Sequence, residues 1–229
     1  MDWKEILLSA DRTQFSFGNK AIFKQYLEAQ KFHEPGIAPV CDETGWYHIN
    51  TNGEPLYTSR YLKAFGFYER IATVVNEKGF FQINSSGNPL SNELYKWAGN
   101  FQESKCVVRS NNTGSYYHID LAGARIYPHS YLYAGDFKDG FACAKTVNGW
   151  QHIDKTGNPL NGRFFLDLNI FHKGFAIARD QKGWFHINIK GEELYRNRYR
   201  MIEPFYNGVA LVHDDNYNSF LIGETGEMA

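Results

Sequence analysis

No cysteine pairing, no block of like charge and no membrane-length apolar run occurs in this 229-residue chain, and each absence removes a class of protein. The three cysteines, Cys41, Cys106 and Cys143, are odd in number and lack paired spacing. That points to reduced thiols packed as small apolar side chains, and to a cytosolic setting, rather than to a disulfide framework. Lysine and arginine together number 24 against 25 acidic residues, a net charge of −1, so no basic stripe for nucleic acid stands out. Met1 to Ala10 carries Asp2, Lys4 and Glu5, which argues against a secretory leader, and no segment has the length and apolarity of a membrane span. Linear catalytic signatures are missing too: no Gly-x-Ser-x-Gly elbow, phosphate loop, His-Glu-x-x-His or Cys-x-x-Cys. Asp136 with Asp139 and Asp214 with Asp215 read as solvated acidic turns. The expectation is no catalytic residue, no metal and no cofactor.

What the chain has is a repeat. Phe32, Phe67, Phe101, Phe137, Phe171 and Phe205 follow one another at 34 to 36 residues, each with an aromatic six positions earlier (Tyr26, Tyr61, Tyr95, Tyr131, Phe165, Tyr199). After each Phe comes a short apolar run centred on a small residue: Ala38, Ala72, Cys106, Ala142, Ala176 or Ala210. Next is an aromatic segment, Gly45-Trp46-Tyr47-His48-Ile49-Asn50 in the first copy and Gly183-Trp184-Phe185-His186-Ile187-Asn188 in the fifth; the sixth, Ser219 to Ile222, is degraded. A glycine closes each unit, at Gly53, Gly87, Gly123, Gly157, Gly191 and Gly226. A fixed period of this length has to be explained before any local motif.

The runs are five to seven residues long, rich in aromatic and β-branched residues, and separated by Asn-Gly, Thr-Gly and Ser-Gly pairs. This composition predicts short antiparallel strands joined by tight turns. Each unit is expected to hold three strands, with a fourth, very short one at the Pro-Leu pair, and the fold to be all-β. The sixth unit has two strands near the C-terminus, within residues 208–226, and the strand it lacks lies at 26–32. That accounting predicts a closed toroid resembling a six-bladed β-propeller, in which 26–32 completes the last blade and removes two exposed sheet edges. Residues 1–20 are then an extension with a short amphipathic helix docking Trp3, Ile6 and Leu7, and 21–229 form a single domain.

The recurring small-residue strand, Gly-Trp-aromatic-His-Ile-Asp/Asn segment and glycine turn resembles the bacterial WG-repeat proteins. The resemblance runs from about Tyr26 to Gly226, and both signature residues are present at Gly45-Trp46, Gly149-Trp150 and Gly183-Trp184. It implies a β-repeat scaffold used for binding and transfers no catalytic residue.

Two residue sets repay attention. His48, His118, His152 and His186 recur at one strand position, with Gln82 and Leu221 in the other two units. Together with Trp46, Trp150 and Trp184 they read as structural, because side chains from successive units spread apart while a metal needs ligands at about 2.0–2.1 Å from one ion. His33 and His172 recur in the same way. Arg109, Lys145, Arg179 and His213 end the small-residue strand in four consecutive units, where the first two have Cys41 and Val75. This asymmetry marks them as a candidate arc for an anionic ligand. The functional expectation is a monomeric, non-catalytic interaction module with a protein partner. A binder of a small anionic ligand and an enzyme with a channel-mouth site are the alternatives.

Overall fold

A computed structural model describes Met1–Ala229, and its secondary structure is almost entirely short antiparallel strands. The chain divides into two compact units, Met1–Gly114 with His118–Arg125, and Ser115–Tyr117 with Ile126–Ala229. In the second unit three sheets follow the same plan: Tyr133–Ala134, Phe141–Thr146 and Gly149–Asp154; Asp167–Leu168, Phe175–Asp180 and Gly183–Asn188; Met201–Ile202, Val209–His213 and Ser219–Gly223. The first unit repeats it with Glu28–Ala29, Ala38–Asp42 and Gly45–Ile49, and then in a six-stranded sheet running in chain order from Lys63–Tyr68 to Tyr116–Asp120.

The repeat positions explain the packing. Ala142, Ala144, Ala176 and Ala178 sit at the centres of middle strands and are buried, as are Val40, Val74, Val108 and Val212 at the position of Ala144 and Ala178 in the other repeats. Ile49, Ile83, Ile119, Ile153, Ile187 and Ile222 are almost fully buried at the same point of six successive strands. In the second unit Ile187 and Ile222 join Phe165, Phe171, Phe185, Tyr199 and Phe205 in one core. Burying such a side chain contributes on the order of 1.5–3 kcal/mol, so the repeated isoleucine and phenylalanine carry much of the stability. The turns after these strands are ordered by their own Asn or Asp. Asn188 Oδ1, for example, accepts from the backbone N–H of Lys190 (2.9 Å) and Glu192 (3.0 Å), an Asx turn. The Pro-Leu pairs make single bridges, such as Ile153 with Pro159, rather than a fourth strand.

The glycine of the Gly-Trp pair has a steric cause. Gly183 has φ +139°, and a Cβ there would lie 2.7 Å from the carbonyl oxygen of Tyr199. That carbonyl accepts from Trp184 N–H at 2.8 Å, and Tyr199 N–H donates back to Trp184 at 2.9 Å. The same approach recurs at Gly149 with Phe165. Every Tyr-to-Phe run after the first is therefore bridged to the Gly-Trp strand before it, and two residues later pairs with the small-residue strand after it.

Two expectations are corrected by this pairing. Residues 26–32 pair locally: Glu28 faces Cys41 and Ala29 faces Val40, while the N–H groups of Tyr26 and Ala29 donate to the carbonyls of Thr13 (2.9 Å) and Arg12 (2.7 Å). The sheet of Val209–His213 and Ser219–Gly223 takes its third strand from Met201–Ile202, immediately upstream. Short connections favour these pairings because closing them costs little chain entropy. Residues 1–20 are likewise not a helical extension. After a single 3-10 turn at Trp3–Glu5, the strands Ile6–Leu8, Phe15–Phe17 and Lys20–Ile22 form a sheet of their own. Ile6 is buried and Leu7 exposed, the alternation of a strand, and Phe15 anchors the sheet against Tyr26 and Phe32.

Candidate functional site

The histidines face inward. His186 is buried, with Nε2 3.0 Å from the Glu203 carbonyl and Nδ1 2.5 Å from the Tyr195 hydroxyl. His48 makes the corresponding contacts to Phe65 O (2.7 Å) and Tyr57 Oη, and His152 reaches Asn169 O at 2.9 Å. A carbonyl can only accept, so Nε2 carries the proton; where a tyrosine hydroxyl is present, it donates to Nδ1. Burial outweighs the carbonyl contact and pushes the pKa of His48, His152 and His186 down to about 4. Each imidazole is thus neutral at pH 7 and ties a Gly-Trp strand to the next Tyr-to-Phe run, packed on Phe67, Phe171 or Phe205. In one of the two repeats without a histidine, Gln82 is buried at the same place, 3.8 Å from Cys106 Sγ. His118 is buried like the other three.

The four basic residues are divided between the units. Arg109 lies in the first, opposite Trp97, with Nε 2.9 Å from Gly114 O. Lys145, Arg179 and His213 lie in the second, at one register position of its three sheets. The aromatic partner across the strand is Trp150 for Lys145 (5.3 Å to the ring centroid) and Trp184 for Arg179 (5.5 Å), both within cation–π range. His213 instead faces Ser219, whose hydroxyl is 2.9 Å from Nδ1. Where the first module has Cys41 opposite Trp46, Lys63 supplies the cation, 3.6 Å from the ring and 3.1 Å from Glu28. Asp167 stands across from Arg179 on the other side.

One recurring exposed position was not singled out from the sequence. The residue after the repeat aromatic is Leu27, Leu62, Leu132 and Leu166 in four modules, and these are 63%, 62%, 58% and 58% exposed. The next position adds exposed Trp97, Tyr133 and Met201. Each leucine is held by its backbone: Leu132 N–H donates to Lys145 O and Leu166 N–H to Arg179 O, both at 2.9 Å. In the second unit Leu132 and Leu166 are therefore held beside the basic positions Lys145 and Arg179, at the start of their Tyr-to-Phe runs. A groove of about 480 Å³ in the second unit includes Arg179, Lys182, Trp184, Tyr199, Arg200 and Asp215. Arg200 lies over the Tyr217 ring at 4.2 Å. Asp180, also in the groove, is held by Arg198 at 2.8 Å; burial works against its ionised form, but this contact and the turn N–H groups keep its pKa below the usual carboxylate value. Arg198 also pairs with Glu193 (2.8 Å) and stacks 3.6 Å from Phe185, so it belongs to the framework rather than to the rim.

No family model matches this chain, and no curated protein does. Solved structures similar to it include a eukaryotic initiation factor, at 11% identity and TM-score 0.57, covering 98% of this chain and 71% of that one. Hsv2 of Kluyveromyces lactis is similar at 8% identity and TM-score 0.51, covering 96% and 94%. The WD40 β-propeller domain of Doa1 aligns at 12% identity and TM-score 0.39, covering 94% and 88%. At such identities the likeness is one of fold, and what it establishes is a chain of repeated short antiparallel β-sheets.

Proposed function

We propose that this chain is a propeller-like repeat module of WG-repeat type that acts without catalysis, binding another protein along the rim where the Tyr-to-Phe runs begin. The observation that carries the reading is the recurring exposed leucine. Isolated exposed leucines are ordinary, but in the second unit Leu132 and Leu166 stand at one repeat position, pinned by the backbone and joined by exposed Tyr133 and Met201, as an ordered apolar pattern. In the second unit Leu132, Tyr133, Leu166 and Met201 alternate with Lys145, Arg179 and Arg200, a pattern matching a partner segment that mixes apolar and acidic residues. The test is capture of partners from cell extract by the wild type, by a Leu132→Asp/Leu166→Asp variant and by a Leu7→Asp control that is equally exposed but lies elsewhere. A partner lost only with the double variant supports the rim; equal capture by all three removes it.

A second reading, a small anionic ligand, is favoured by the presence of Arg179, Lys182 and Arg200 in one groove. Titration of phosphate or citrate against the wild type and an Arg179→Ala/Arg200→Ala variant separates it from the first. An affinity the two proteins share rules the groove out as an anion site.

A further inference from the structure

The geometry points to a second site in the same unit: a pocket for a small aromatic carboxylate, at the far end of the Tyr-to-Phe runs from the leucine rim. A cavity of about 300 Å³ is lined by Asn169, Ile170, His172, Phe175, Ile177 and Phe205, among others. That volume lies at the lower end of the ~300–1,000 Å³ typical of ligand pockets, which suits a single-ring molecule. The walls are apolar. Phe175 and Phe205 meet edge to face with centroids 5.2 Å apart, the arrangement into which a further aromatic ring packs well.

His186 also borders the cavity, but both of its ring nitrogens are committed, to Tyr195 and Glu203, and it stacks on Phe205 at 4.0 Å. It therefore stiffens the wall and does not compete for a ligand. The polar groups of the lining are His172 and Asn169. Lys138, outside the lining, stands behind His172, its Nζ 2.9 Å from Nδ1. An ammonium only donates, so Nδ1 of His172 accepts and its Nε2 carries a proton. Asn169 accepts from His152 through its backbone carbonyl, and its side chain is an amide on the cavity lining. A cation, an imidazole N–H and an amide beside an apolar pocket suit a carboxylate attached to an aromatic ring, because charge-assisted hydrogen bonds are the stronger kind.

The probe is phenylacetate, titrated into the full chain by calorimetry or saturation-transfer NMR, with phenylacetamide as a neutral analogue of the same shape. Phenylacetate is expected to saturate in the sub-millimolar to millimolar range, and the amide to bind about tenfold more weakly, the loss of one charge-assisted contact. Lys138→Gln, an exposed change that leaves the fold intact, should bring phenylacetate down to the affinity of the amide. Ile170→Trp should fill the cavity and remove binding of both. The assignment is overturned by absence of saturable phenylacetate binding, by equal affinity for the amide, by an unchanged Lys138→Gln variant, or by binding that survives in a folded Ile170→Trp protein. The Leu132→Asp/Leu166→Asp variant should bind phenylacetate normally, which keeps this site separable from the rim.

Discussion

The buried histidines make stability depend on pH in a range where few other groups titrate. Each is neutral in the fold, with a pKa pushed down to about 4, against 6.5 for an unperturbed imidazole. The unfolded chain therefore binds more protons between these values, and stability falls as pH falls from about 6.5 toward 4. At about pH 5 the linkage comes to about 2 kcal/mol per histidine, rising to about 3 kcal/mol at lower pH. His152 and His186 both lie in the second unit, so that unit stands to lose about 4 kcal/mol by about pH 5, a large part of the 5–15 kcal/mol typical of a domain. Carboxylates held below their usual range, such as Asp180 and Asp214, lose their contribution only as pH drops through and below 3.8, so the two effects separate. The assay is urea unfolding followed by tryptophan fluorescence at intervals from pH 7.5 to 5. The free energy should fall steeply below pH 6.5, and His186→Gln, which imitates the amide of Gln82, should make the slope shallower by about one proton. An unfolding free energy that stays level over this interval would refute the reasoning.

Two further outcomes test the packing. Gln151 is only 5% exposed, its Oε1 has no hydrogen-bond partner, and the equivalent positions hold Tyr47, Phe81, Tyr117 and Phe185. Gln151→Leu, close in volume, should raise the unfolding free energy by about 1 kcal/mol or more by removing an unsatisfied acceptor; a lower urea midpoint would contradict this. Gly183→Ala should cost roughly 1–3 kcal/mol, because its Cβ would meet the Tyr199 carbonyl at 2.7 Å. Gly174→Ala, with φ +86° and nothing within 4 Å, should cost less, so equal thermal shifts would show that the close approach is not the cause.

The strands Phe141–Thr146, Gly149–Asp154, Phe175–Asp180 and Gly183–Asn188 could be read from the sequence almost residue by residue, because aromatic content and glycine turns bound them tightly. The Tyr-to-Phe run was visible but its allegiance was not. In four modules it pairs over only two residues, as at Asp167–Leu168, and a sequence pattern does not say which neighbour an edge segment joins. The N-terminal sheet escaped notice because its three-residue strands carry neither the Gly-Trp pair nor the small-residue run. As for the candidate sites, the cross-strand placement of Lys145 on Trp150 follows from register, which the turn length already implied. The recurring leucine had a signal, Leu after the aromatic in four modules, but exposure is what gives it meaning, and a lone leucine ordinarily reads as core. Nothing in the spacing announced the pocket, whose wall comes from residues 169–177 together with Pro204 and Phe205.

The bridging of each Tyr-to-Phe run to two sheets sets a limit on how the protein can be cut and rebuilt. A cassette excised at the Gly-Trp boundary would carry away one half of a shared seam and leave the neighbour with unmatched backbone groups. One excised in the outer turn at residues 188–193 would keep each three-stranded sheet whole and give up only the bridge between Trp184 and Tyr199 and the contact of His186 with the Glu203 carbonyl. Duplication or grafting of these modules should therefore succeed with joints in the Asx turns and fail with joints at the tryptophans, so that the visible repeat and the transferable part are out of step by half a unit.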